Sequence, residues 1–143
     1  MSTPLRTSLM ALSLCLALLL AGCGKKSWPS PRAEEDRFTI SQLTAERQGN
    51  CLNMQLRLSG NHQNLRGLVL ELEGREEPCP GCPFTPTDTI RLSLSSPTVS
   101  RDGPRFSITW CGLQPERTYR WRLSAVNVYP SIPDERSNVR RLE

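Results

Sequence analysis

From Phe38 to Arg140 apolar residues recur at every second position, and that period admits few folds. Leu52, Met54, Leu56 and Leu58 share one side of a run whose other side is Asn53, Gln55 and Arg57. The pattern returns as Leu68, Leu70 and Leu72 against Val69, Glu71 and Glu73. It returns again as Ile90, Leu92 and Leu94 against Arg91, Ser93 and Ser95, and as Phe106, Ile108 and Trp110 against Ser107 and Thr109. Tyr119, Trp121, Leu123 and Ala125 alternate with Arg120, Arg122, Ser124 and Val126. Neighbouring side chains of a strand point to opposite faces, so one apolar and one polar face mean a half-buried strand of an antiparallel sheet. Turn residues separate the runs: Gly60-Asn61, Pro80-Gly81, Asp102-Gly103 and the stretch 112–115. With a first strand at 38–40 and a last at 138–140, seven strands are predicted, enough for an all-β antiparallel sandwich of two sheets over 38–143. Twelve prolines and nine glycines, scattered rather than periodic, suit short strands and turns better than long helices.

The segment ahead of this domain has another composition. Residues 8–20 are mostly Leu, Ala and Met, without charge, behind a polar start that carries Arg6. A helix needs roughly 20 apolar residues to cross the hydrocarbon core, and this stretch is shorter. A short apolar stretch behind a basic start and before small residues reads as a secretory signal. Leu20-Ala21-Gly22-Cys23 closes it. These four residues match at every position the lipobox L-[AS]-[AG]-C, so the start of the chain resembles that of bacterial lipoproteins. The resemblance implies that the signal, 1–22, is removed, that the Cys23 thiol is diacylglycerated, and that the new amino terminus is acylated. Several acyl chains anchor stably, because each buried CH₂ contributes about 0.8 kcal/mol and one chain alone is marginal. Gly24 follows the cysteine where an Asp would, by the same resemblance, imply the inner membrane. The expected location is therefore the outer membrane, lipid-anchored and facing the periplasm, with the inner membrane or the cell surface as the alternative. The alternative is an ordinary signal cut near Ala21, with Cys23 as a further disulfide candidate.

Residues 23–37 then read as a lipidated cysteine and a flexible tether, rich in Pro, Ser and charge and with little to bury. Lys25 and Lys26 suit anionic headgroups, and Trp28 suits the membrane interface. Cys-Gly-Lys-Lys with prolines soon after is similar to the start of small lipoproteins of lipopolysaccharide-translocon maturation, near C-G-x-K-G-P. This chain has Ser27-Trp28 where that pattern has Gly-Pro.

Within the domain, "GLQPERTYRWRLSAVN" (112–127) resembles the end of strand E and all of strand F in a fibronectin type III domain, L-x-P-x-T-x-Y-x-x-x-V-x-A-x-N. Leu113, Pro115, Tyr119, Leu123, Ala125 and Asn127 keep the spacing; the threonine is displaced to Thr118, and Leu123 replaces a valine. The resemblance implies a corner tyrosine at Tyr119, bonded back to the E–F backbone. It departs in strand B, where Met54 or Leu56 stands in place of a core tryptophan and Trp110 or Trp121 can compensate. Other immunoglobulin-like topologies stay open.

Four cysteines remain in the domain; a fifth, Cys15, leaves with the signal. Disulfides persist after export. In the type III arrangement strands B and E are antiparallel neighbours, so Cys51, heading B, and Cys111, closing E, fall on the same face at the same end. That implies a cross-strand bridge. Cys79-Pro80-Gly81-Cys82 is a four-residue turn with Pro second and Gly third, whose ends lie within disulfide reach. A redox dithiol at this motif would need a helix N-terminus or cations to depress a thiol pKa, and Pro83 and Pro86 start no helix. A zinc site from all four cysteines would have only one CxxC.

Little else carries chemistry. His62 is the only histidine, in a polar loop, and no paired-acid motif, phosphate-binding glycine loop or nucleophile elbow occurs. Net charge is +4 with no basic run longer than two residues, which argues against nucleic acid. Glu71, Glu73, Glu76 and Glu77 oppose Arg120 and Arg122 in sign, a pattern that reads as cross-strand pairs. The connection 128–137, "VYPSIPDERS", is long for a hairpin and holds Tyr129, Pro130, Ile132 and Pro133. Its prolines stiffen it and its tyrosine loses little entropy on contact, so it is the candidate binding loop. The competing expectation is that Tyr129 and Ile132 fold back as a lid over the open end of the sandwich. The sequence thus predicts a non-catalytic, lipid-anchored envelope module that interacts with or assembles a protein. It needs no metal and no cofactor besides the lipid on Cys23. A glycan-binding or enzyme-accessory module, or a translocon maturation factor, is the alternative. Fold alone does not name the partner.

Overall fold

The computed structural model describes residues 30–142; the signal segment 1–22, Cys23, Lys25, Lys26 and Trp28 lie outside the described residues. A one-turn helix α1 (Ala33–Asp36) precedes nine strands. They are β1 (Phe38–Gln48), β2 (Cys51–Gly60), β3 (Leu65–Arg75), β4 (Asp88–Ser93), β5 (Val99–Asp102), β6 (Arg105–Cys111), β7 (Thr118–Asn127), β8 (Glu135–Arg136) and β9 (Arg140–Leu142). One sheet has the order β1-β2-β6-β5; the other runs β4-β3-β7, with β8 and β9 both pairing on the far edge of β7. Every pairing is antiparallel, so the chain is the all-β sandwich that the alternation predicts. No helix among the described residues is long and apolar enough to cross a membrane.

The inward positions are those of the period-two reading. Leu52, Met54, Leu56 and Leu58 from β2 meet Leu68, Leu70 and Leu72 from β3, Phe106 and Ile108 from β6, and Trp121, Leu123 and Ala125 from β7. Each such side chain contributes about 1.5–3 kcal/mol when fully buried. Trp121 fills the centre, whereas Trp110 is half-buried against the core.

Three expectations need correction. The strand count is nine, not seven. β5 escapes the pattern because only Val99 of its four residues is buried; pairing with β6 through the turn at Gly103 makes it a strand. The last strand, expected at 138–140, is split into β8 and β9. Between them Ser137 Oγ accepts the backbone N–H of Leu123, a donor that a continuous ladder would have used. The first strand is 11 residues long rather than three, because an irregularity between Ile40 and Gln42 shifts its register and breaks the period.

The domain also begins earlier than Phe38. The compact unit starts at Pro31, so the end of the expected tether belongs to it. Asn64 Nδ2 and Asn127 Nδ2 both donate to the Asp36 carbonyl, at 3.1 and 3.0 Å, which ties α1 to one end of the sandwich. The connections 61–64 and 128–134 lie at this proximal pole. The distal pole carries the turn between β1 and β2, the connection 112–117 and the loop 76–87.

Candidate functional site: the distal pole

Strand parity turns Glu71, Glu73 and Arg75 of β3, and Arg120 and Arg122 of β7, to the outer face of one sheet. Register then sets Glu71 opposite Arg122 and Glu73 opposite Arg120. Arg122 donates to both oxygens of Glu71, through Nε at 2.7 Å and Nη2 at 3.1 Å. Glu73 is held from two sides: Arg75 Nε donates to Oε1 at 2.8 Å and Arg120 Nε to Oε2 at 2.6 Å. Its side chain is 1% exposed.

What buries Glu73 is the loop 76–87. Arg120, its donors not exhausted by Glu73, reaches the carbonyls of Cys82 (2.8 Å) and Pro83 (2.9 Å). The Phe84 ring lies under both Arg120 and Arg122, with centroid distances of 5.9 and 5.3 Å, within cation–π range. Thr87 closes the loop: its N–H donates to the Leu72 carbonyl, and its Oγ1 accepts from Gly74 N–H. Cys79 and Cys82 are bridged, with Cα atoms 5.5 Å apart across the turn. Burial pushes the Glu73 carboxyl up, but hydrogen bonds from Arg75 and Arg120 outweigh it and hold the group below its ordinary value. At Glu71 the Arg122 hydrogen bond is the largest influence and outweighs burial, so that carboxyl too lies below its ordinary value.

The rest of the pole is fastened as firmly. Cys51 and Cys111 stand directly opposite on β2 and β6 and are joined. Arg47 donates to the carbonyls of Gln114, Arg117 and Pro115, and its guanidinium sits 5.7 Å from the Tyr119 ring centroid. The Tyr119 hydroxyl accepts the Gln114 N–H at 2.9 Å, the geometry of a tyrosine corner. Gly74 makes room for that ring, since a Cβ there would lie 2.7 Å from Tyr119 Cε1. Between the stapled loop and β9 opens a cavity of about 260 Å³, lined among others by Glu73, Arg75, Pro78, Pro80, Arg141 and Leu142.

The loop expected to make contacts lies at the other pole. Ile132 is 4% exposed, buried within its own loop and outside the core cluster. Tyr129 is half-buried, and its N–H is taken by Asn127 Oδ1; Pro130 and Pro133 are exposed. His62 is half-buried in a single turn at the same pole. With both cysteine pairs bridged, no thiolate is left for zinc, and among the described residues no group of three His, Cys, Asp or Glu could hold a metal ion. The cluster around Glu73 was not singled out from sequence as a site. Its one signal is the matched spacing of two acids and two arginines, each two residues apart, on strands that become neighbours.

No family model matches the chain, and no curated protein matches it in sequence. Among solved structures it is similar to a "putative carbohydrate binding protein from Bacteroides uniformis", with a TM-score of 0.39 and 10% identity over 74% of this chain. The chain spans 56% of that protein's length.

Proposed function

We propose that the protein is a non-catalytic binding module of the cell envelope, lipid-anchored through Cys23 in the outer membrane and facing the periplasm. On this reading it engages a protein partner with its distal pole. One observation carries the reading: a buried ion cluster and a disulfide fix a surface loop rather than the core. A buried ion pair is often no more stabilising than apolar residues of the same size, so its use here is best explained by the conformation it imposes on 76–87. A loop ordered before contact loses less entropy on binding. Its position suits the role, because the chain that leads back to Cys23 leaves from the opposite pole. A protein partner is favoured over a glycan by the surface itself. Among the described residues Phe84, Trp110 and Tyr129 are half-buried, and no aromatic ring lies fully exposed as a platform for a sugar.

The test is a photoreactive amino acid placed singly at Glu77, Gly81, Gln55 and Pro130, followed by irradiation of cells and mass spectrometry. Adducts to one envelope protein from Glu77 and Gly81, and none from Gln55 or Pro130, are expected. Adducts chiefly from Pro130 would return the contact surface to the proximal pole and overturn the reading.

A further inference from the structure

The cavity beneath the stapled loop is unbalanced in charge. Among the described residues Arg75, Arg120 and Arg141 line it, against the single carboxylate of Glu73. Arg120 and Arg141 are direct cross-strand partners on the same outer face of β7 and β9, and like charges so placed repel. Arg120 is committed to Glu73 and to two loop carbonyls. Arg75 turns Nε and Nη2 toward Glu73 and also lines the cavity, and its side chain is 37% exposed. Arg141 makes no ion pair among the described residues. The remaining walls are largely apolar: Pro78, Pro80, Leu142 and the edge of Tyr119.

We infer that this cavity is a subsite for a peptide carboxylate that carries an apolar neighbour. The carboxylate lies on the guanidinium groups of Arg75 and Arg141, where a planar guanidinium matches two oxygens at once. It also relieves the repulsion between Arg120 and Arg141. The apolar neighbour rests on Pro78, Pro80 and Leu142, and the Cys79–Cys82 bridge holds that wall in place. The inference rests on the protein-partner reading for what the carboxylate belongs to, a chain terminus or an acidic side chain.

The test is calorimetric titration of the full lipidated protein in detergent micelles. Three probes are used: N-acetyl-alanyl-leucine as free acid, the same dipeptide as amide, and N-acetyl-glutamyl-leucine amide. Saturable binding of one of the two acids, at least tenfold weaker for the neutral amide, is expected, and the acid that binds names the source of the carboxylate. Arg141→Gln is expected to leave the ligand-free Tm unchanged or higher while weakening that acid at least tenfold. Equal binding of acid and neutral amide, undiminished binding by Arg141→Gln, or inorganic phosphate binding as tightly as the acid would each overturn the assignment. So would binding seen only after removal of Glu143, because a carboxylate of this chain would then be the occupant. Partner crosslinks from Gly81 that persist at full strength in Arg141→Gln would reject the carboxylate subsite and leave the partner reading standing.

Discussion

At position 73 a carboxylate is removed from water with a guanidinium on each oxygen, and at position 74 the side chain is missing because Tyr119 occupies its space. Both positions make predictions. Glu73→Gln keeps the shape but leaves Arg75 and Arg120 without their counter-ion, and is expected to cost about 3 kcal/mol, read from chemical denaturation. Glu71 and Glu73 both titrate below their ordinary 4.5 in the folded protein. The unfolded chain therefore takes up protons at these sites first as pH falls. Their contribution is full at neutral pH and is lost as pH drops below about 4.5 through the lower folded-state values. The denaturation midpoint should fall between pH 6 and pH 3, and a Glu71→Gln, Glu73→Gln double variant should flatten that fall. Gly74→Ala drives a methyl into the Tyr119 ring and is expected to cost about 1–3 kcal/mol by overpacking. An alanine tolerated there without loss of Tm would show that the corner is looser than its geometry indicates.

At the scale of elements, the two disulfides do different things. Cys51–Cys111 ties residues 60 apart in sequence, and loop-closure entropy gives about 4 kcal/mol for its loss. Cys79–Cys82 ties residues only three apart and restricts the unfolded chain far less. The double variant Cys51→Ala, Cys111→Ala is thus expected to lower Tm strongly. Cys79→Ala, Cys82→Ala should lower it little, yet raise amide exchange across 76–87. Equal losses of Tm from the two would refute this division. The strands themselves were legible wherever one face is apolar and the other polar, as in β2, β3, β6 and β7. They were not legible where burial is one-ended, as in β5, or where a bulge changes phase, as in β1. Side-chain capture of a backbone donor, as by Ser137 between β8 and β9, leaves no periodic trace either.

At the scale of the molecule, the lipobox at 20–23 predicts that Cys23→Ser moves the protein from the membrane to the soluble fraction and abolishes labelling by a clickable fatty acid. A Cys23→Ser chain that stays membrane-bound through detergent-free washing would sink the anchor. The sequence by itself determined the sandwich and its inward faces, because period two is a local property of a chain; the four-residue motif at 20–23 carries the expectation of a lipid anchor in the same local way. It also offered Tyr119 and Cys51–Cys111 through the resemblance to a type III domain, and Cys79–Cys82 through a turn. Only the tertiary structure decided which pole carries a candidate site. Whether Ile132 is exposed or buried depends on what the rest of the chain lays over its loop. Whether Glu73 is a solvated surface charge or a buried one depends on a loop ten residues on and an arginine 47 residues away. Burial and cross-strand register are relations between distant segments, and no local pattern of residues encodes them.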